Sequence, residues 1–228
     1  MKLTYLGHSC FIVESGGKKV VIDPYLRNNP LAAVKPEEVE VDAVLLTHGH
    51  YDHVADAEEI ARRNDCVIVG IHEIAAYFAG VGLKTFGLNL GGKHTFDWGT
   101  VKLTLAFHSS GLELEGGKFL HGGQPAGILL TMDGQTLYHA GDTCLFGDMK
   151  LIGELHRIDA AALPIGDVFT MGPDEAAIAA EWLKAKTYIP IHHSTFPPIV
   201  QDAEAWVKQL KEKGLSGTAL RPGESVSI

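Results

Sequence analysis

A chain of 228 residues, 46% of them hydrophobic, is long enough to close a sizeable core, and residues 1–228 are expected to form one domain. Its formal charge of −9 opposes long-range attraction of nucleic acid, and no stretch reaches the ~18 consecutive apolar residues that span a bilayer. Cys10, Cys66 and Cys144 are odd in number and far apart, which argues against a disulfide framework and for a reducing cytoplasm.

From the N-terminus, Leu3–Leu6, Phe11–Glu14 and Val20–Asp23 are predicted strands, separated by Gly7 and the Gly16-Gly17 turn. The opening Met1-Lys2-Leu3-Thr4-Tyr5-Leu6 reads as a strand, without the long apolar segment or cleavage site of an export signal. Ala43-Val44-Leu45-Leu46 is a short apolar run of the kind that forms a buried strand, and Ala55–Arg63 reads as a helix with Asp52 near its start. Val101–Phe107 alternates apolar and polar residues and then presents His108. Gly127–Met132 and Gln135–His139 are predicted strands joined by an Asp133-Gly134 hairpin, leading to Asp142. Tyr188-Ile189-Pro190-Ile191 presents His192 and His193. Helices are predicted over Pro173–Ala185, where Pro173, Asp174 and Glu175 suit a first turn, and over Asp202–Lys213. Pattern alone predicts an α/β protein and no layer order.

The run Thr47-His48-Gly49-His50-Tyr51-Asp52-His53 carries the chemistry. It places three imidazoles and a carboxylate within residues 48–53. Imidazole suits zinc, iron, nickel and copper, and carboxylate adds charge and oxygen ligation. A closed structural zinc site draws four ligands, often from cysteine pairs, and no such pair exists here. The surplus of ligands points to two ions side by side, an arrangement that activates water for hydrolysis. Incidental histidine-rich surface sequence is the bland alternative. The preceding apolar run argues against it by delivering the cluster to a strand end, where open α/β sheets place their sites.

His48-x-His50-x-Asp52-His53, then His108, Gly141-Asp142-Thr143 and His192, resemble the metallo-β-lactamase superfamily. More narrowly, the chain resembles its small uncharacterised metal-dependent hydrolase branch, similar to the ascorbate-6-phosphate lactonase group. Branch-level cues include Leu6-Gly7-His8-Ser9, Ile22-Asp23-Pro24 and Ile191-His192-His193-Ser194-Thr195. The resemblance implies a metallo-β-lactamase fold, an α/β (α+β) four-layer αββα sandwich. It implies two divalent ions, zinc or manganese before nickel or iron. His48, His50 and His108 would hold one, Asp52, His53 and His192 the other, and Asp142 would bridge them.

The implied activity is that of a metal-dependent hydrolase, in which a hydroxide activated by two metals attacks a small ester, lactone or phosphoester. Asp52 would orient that hydroxide or take its proton, and His8 would protonate the leaving group or bind substrate. Asp23, Thr143 and Asp167 are candidate acceptors to set the tautomers of the ligand histidines. The glycine-rich stretch 115–125 exposes backbone N–H groups, and with Lys118 and His121 it suits a small anionic substrate. His193, which stands where many relatives carry tyrosine, and Thr195 are further candidate substrate contacts. A metal-dependent nucleic-acid-binding or nuclease-like protein is the alternative, and the charge opposes it. No membrane partner is expected. Phe196-Pro197-Pro198-Ile199 leaves a homo-oligomer open.

Overall fold

In the computed structural model, which describes residues 1–228, the chain opens with an antiparallel meander. Its strands are β1 (Lys2–Gly7), β2 (Cys10–Ser15) and β3 (Lys18–Ile22). β4 (Ala43–Leu45) adds in parallel beside β3 and is followed by α1 (Tyr51–Val54) and α2 (Ala57–Asn64). β5 (Val67–Ile71), α3 (His72–Gly80) and β6 (Thr85–Leu88) continue the parallel half. β7 (Lys93–Phe96), β8 (Gly99–Leu105), the hairpin β9 (Gly111–Leu114) and β10 (Lys118–His121), β11 (Ala126–Met132) and β12 (Gln135–His139) come next. The chain ends through α4 (Met149–Leu155), β13 (Ala160–Pro164), α5 (Pro173–Leu183), β14 (Thr187–Ile191), α6 (Ala203–Glu212) and β15 (Ser225–Ser227).

Two sheets result, in the orders β15-β1-β2-β3-β4-β5-β6 and β14-β13-β12-β11-β8-β7, with β9–β10 a separate ribbon. The period-two rule shows how they stack. On β11, Ile128, Leu130 and Met132 enter the core shared by both sheets, while Leu129 enters the core beneath α4, α5 and α6. On β13, Ala160 and Ala162 face the first core, and Ala161 and Leu163 the second. Ile60, Ile74 and Phe78, from α2 and α3, complete the first core. The layer order is therefore helix, sheet, sheet, helix, as the resemblance implies. Strands buried on both faces read as near-continuous apolar runs. No helix is long and apolar enough to cross a membrane.

Two boundaries differ from expectation for identifiable reasons. The helix predicted over 55–63 is broken at Asp56, whose carboxylate accepts the Leu26 and Arg27 N–H groups at 2.6 and 3.1 Å instead of capping α2. That bond ties the loop after β3 to the helix layer. The strand predicted to run to Phe107 ends at Leu105, because the Phe107 N–H donates to Thr143 Oγ1 at 3.0 Å rather than to a neighbouring strand.

Candidate metal centre

Strand ends build the site, and left-handed backbone delivers its side chains. His8 after β1, Asp23 after β3 and His192 after β14 have φ of 57°, 47° and 52°, and Gly141 after β12 has 62°. Left-handed non-glycine residues cost of order 1–3 kcal/mol each and persist where the surroundings dictate them. Here each turns the chain sharply at the edge of a sheet. The His192 N–H donates to the His8 carbonyl at 2.8 Å, which joins the ends of the two sheets. A Cβ at Gly166 would overlap the His192 carbonyl oxygen, so the close approach of β13's end to β14's end requires glycine there.

One oxygen is the focus. Asp142 Oδ2 lies 3.0 Å from His192 Nε2, 3.4 Å from His53 Nε2, 3.6 Å from His108 Nε2 and 3.8 Å from His48 Nε2. His48, His50 and His108 form one group of converging ligand atoms, and His8, Asp52, His53 and His192 a second. All seven residues expected to ligate are thus brought to one place, with His8 beside them. A third grouping, Asp23 with His48 and His53, is not an independent site, because the Asp23 oxygens are already engaged.

Asp23 is fully buried and accepts the Thr47 N–H at 2.8 Å and the Thr47 hydroxyl at 2.6 Å. Its Oδ2 also accepts the His53 Nδ1–H at 2.8 Å. Having given its only proton to Asp23, the Thr47 hydroxyl accepts from His48 Nδ1–H at 3.0 Å. Both histidines therefore keep a proton on Nδ1 and turn Nε2 inward, so that Nε2 is the atom a metal would take. Sequence reasoning missed Thr47. Its signal was present as a hydroxyl immediately before the first ligand histidine. Thr143 and Asp167, the other expected acceptors, make no histidine contact: Thr143 Oγ1 positions Phe107, and the Asp167 N–H donates to the Met171 carbonyl.

Electrostatics separate these groups. Burial pulls His48 well below the ordinary histidine range. Burial also opposes charge on His53, but Asp142, Asp23 and Asp52 outweigh it and hold the ring well above that range. For His192 the same contest with burial is won by Asp142, raising it to about 9. Asp142 is itself held well below the carboxylate range, His192 and His53 overcoming the cost of burial. Asp52 is likewise ionised. It therefore accepts from His8 Nε2–H at 3.0 Å, and burial pulls His8 down to about 4, leaving it neutral. His8 Nδ1 must then accept, and Thr195 Oγ1 donates to it at 2.9 Å.

Divalent ions fit this donor set. His53 Nε2 and Asp142 Oδ1 are buried with no hydrogen-bond partner, an arrangement that costs about 1–3 kcal/mol per group unless something else satisfies it. Nitrogen and oxygen donors converging with fixed tautomers meet the requirement of a metal site.

Four expected substrate contacts fall differently. His121 lines a cavity of about 560 Å³ that opens on His50 and His108, and its Nδ1 accepts the Gly123 N–H at 3.2 Å. Lys118 is not among the lining residues; it pairs with Leu114 at the far end of the hairpin. Thr195 is buried and bonded to His8 Nδ1. His193 lines a separate cavity with Tyr5, Val200 and Leu220. Left-handed residues on either side of His193, His192 and Ser194 at φ 52° and 60°, turn one histidine into the ligand group and the other into that cavity. Cys144 is exposed and outside both ligand groups. His192→Ala is expected to lower metal content, measured by plasma mass spectrometry, and His193→Ala to leave it intact. The reverse result would reassign the ligand.

With the geometry established, comparison places the chain among known proteins. The beta-lactamase superfamily domain matches residues 2–192. The chain belongs to the metallo-β-lactamase superfamily. Within that superfamily it sits among the metal-dependent hydrolases. A UPF0173 metal-dependent hydrolase of Geobacillus thermodenitrificans is 53% identical over the full length of both chains. Another, from Bacillus velezensis, is 51% identical over the full length of both. Igni18, a metallo hydrolase from the hyperthermophilic archaeon Ignicoccus hospitalis, is 37% identical with a TM-score of 0.90, over 100% of this chain and 97% of that one.

Proposed function

We propose that this metal-dependent hydrolase cleaves a small ester, lactone or phosphoester with two divalent ions, zinc or manganese before nickel or iron. His48, His50 and His108 would hold one ion, Asp52, His53 and His192 the other, with Asp142 shared. The observation that carries this reading is the single Asp142 oxygen standing 3.0–3.8 Å from four inward-facing imidazole nitrogens. When bound, such ions supply Lewis acidity and lower the pKa of water towards neutrality.

The chain's own groups do the rest. Ionised Asp52 takes the proton released by the attacking water and returns it to the leaving oxygen. His8, with its proton on Nε2, keeps Asp52 Oδ2 aimed, and Thr195 fixes the His8 ring through Nδ1. Asp23 and Thr47 hold two ligand rings in the receptive tautomer. Ser109 Oγ, 3.2 Å from His50 Nε2, holds the His50 ring on the cavity side. No Lys or Arg lines the cavity, so nothing at the site favours a nuclease-like reading. The free, scattered cysteines support a cytoplasmic setting.

The test is turnover of p-nitrophenyl acetate, an aliphatic δ-lactone and bis(p-nitrophenyl) phosphate by protein stripped with chelator and reloaded separately with zinc and manganese. At least one substrate should be hydrolysed only by reloaded protein. No turnover of any of them, in protein carrying its full complement of metal, would overturn the reading.

A further inference from the structure

The β9–β10 hairpin forms one wall of the cavity, and the metal loop fixes its position. The Gly49 N–H donates to Ser110 Oγ at 3.0 Å, and that hydroxyl donates to the Gly122 carbonyl at 3.2 Å. Leu112, buried, packs on Gly49 with its Cγ 3.1 Å from where a Cβ would stand. Glycine between His48 and His50 therefore lets the hairpin base sit directly on the ligand loop. Further along, Gly111 pairs with His121, and the Phe119 ring lies over Gly111, 3.1 Å from its Cβ position. An aromatic ring laid across a strand glycine is held by that gap.

As a result, Phe119 and Leu120 line the same cavity as His50 and His108 while remaining 69% and 44% exposed. Adjacent exposed apolar side chains at a site mark a surface that something apolar covers. The cavity has no Lys or Arg, and Asp52 and Asp142 stand in the neighbouring ligand cluster on a chain of net charge −9. The wall thus offers contact to hydrocarbon and, His121 apart, no side chain that could pair with an anion. Lys118, the cation expected to serve that purpose, is three residues out from His121, roughly 10 Å along the strand.

We propose that the hairpin selects an uncharged substrate, a carboxylic ester or lactone bearing an aliphatic substituent. That substituent lies on Phe119 and Leu120 while the ester group reaches His50 and His108. This rests on the hydrolase reading above and narrows it. Water is the co-reactant: the acyl C–O bond breaks, the carbonyl carbon takes the hydroxyl, and the leaving oxygen takes the proton.

The experiment compares kcat/KM for p-nitrophenyl acetate and hexanoate in metal-loaded wild type, Phe119→Ser and Leu120→Ser. Each methylene fully removed from water is worth about fourfold, so four partly covered ones should favour hexanoate by about tenfold or more in wild type. The ratio should fall to about threefold or less in either variant. A wild-type ratio near one, a ratio unchanged in both variants, or turnover of bis(p-nitrophenyl) phosphate with neither ester would overturn the inference. So would a variant that dissociates an oligomer on size-exclusion chromatography and keeps the wild-type ratio, because the hairpin would then be an assembly surface. If no substrate turns over, the hydrolase reading fails separately, and calorimetric titration with hexanoate and acetate still tests the wall. Tighter hexanoate binding in wild type but not in Phe119→Ser supports the inference; equal affinities overturn it.

Discussion

Asp142→Ala is expected to abolish metal-dependent turnover in a protein that stays folded. The carboxylate is shared by four imidazoles from three separate segments, residues 48–53, 108 and 192, and nothing else in the cluster can take its place. Outer partners of metal ligands cost 10–100-fold when removed, and loss of the shared ligand should exceed about 10²-fold. Metal content should fall by at least half by plasma mass spectrometry, while far-UV circular dichroism is retained. Asp142→Asn keeps the shape and removes the negative charge an ion would meet at this shared position, so it should lose metal nearly as completely. A variant with full activity and full metal content would remove Asp142 from the centre.

Asp23→Ala is expected to cost both stability and affinity. The substitution strands three buried donors, the Thr47 N–H, the Thr47 hydroxyl and the His53 Nδ1–H. At about 1–3 kcal/mol for each stranded group, destabilisation of about 3 kcal/mol or more is expected in metal-free protein. For a domain of this size that lowers Tm by roughly 6–12 °C. With His53 and His48 no longer held in one tautomer, metal affinity in a chelator competition should drop about 10–100-fold. Asp23→Asn separates the two effects. Its amide oxygen can still accept from Thr47, so much of the Tm should return, but its NH₂ is the wrong partner for His53 Nδ1–H and affinity should stay low. If Asn restores both, Asp23 supports the fold alone.

The candidate metal ligands are legible because their spacing is itself the chemistry: a two-residue alternation from His48 to Asp52, then single His or Asp residues after strand-like runs. The strands that were legible carry alternation or a bounded apolar run, as in β1, β2, β11 and β14. β13 is not legible in the sequence, because Ala160-Ala161-Ala162 is a helix-favouring run that two parallel neighbours force into a strand. α3 begins directly at the end of β5 with no side-chain cap to announce it. The exposed hairpin has no buried face on β10 and so no pattern to detect. The directions of the candidate substrate contacts are not legible in the sequence. Which way His193 or Thr195 points is decided by left-handed φ values at His192 and Ser194, and neither residue type signals that conformation.

The bond from the His192 N–H to the His8 carbonyl ties the end of β14, the last strand of the second sheet, to the end of β1. No contiguous fragment of the chain short of residue 192 holds the complete set of candidate ligands, so a nascent polypeptide would complete the proposed centre only after β14 has emerged and docked. Assembly of the centre is governed by contacts of long sequence separation, which form late and slowly. Ions that bind only the finished chain shift its equilibrium by mass action, and a chain starved of them opens more often. With the proposed centre, metal supply would set the lifetime of the protein as well as its activity, and proteases would meet the unloaded copies first.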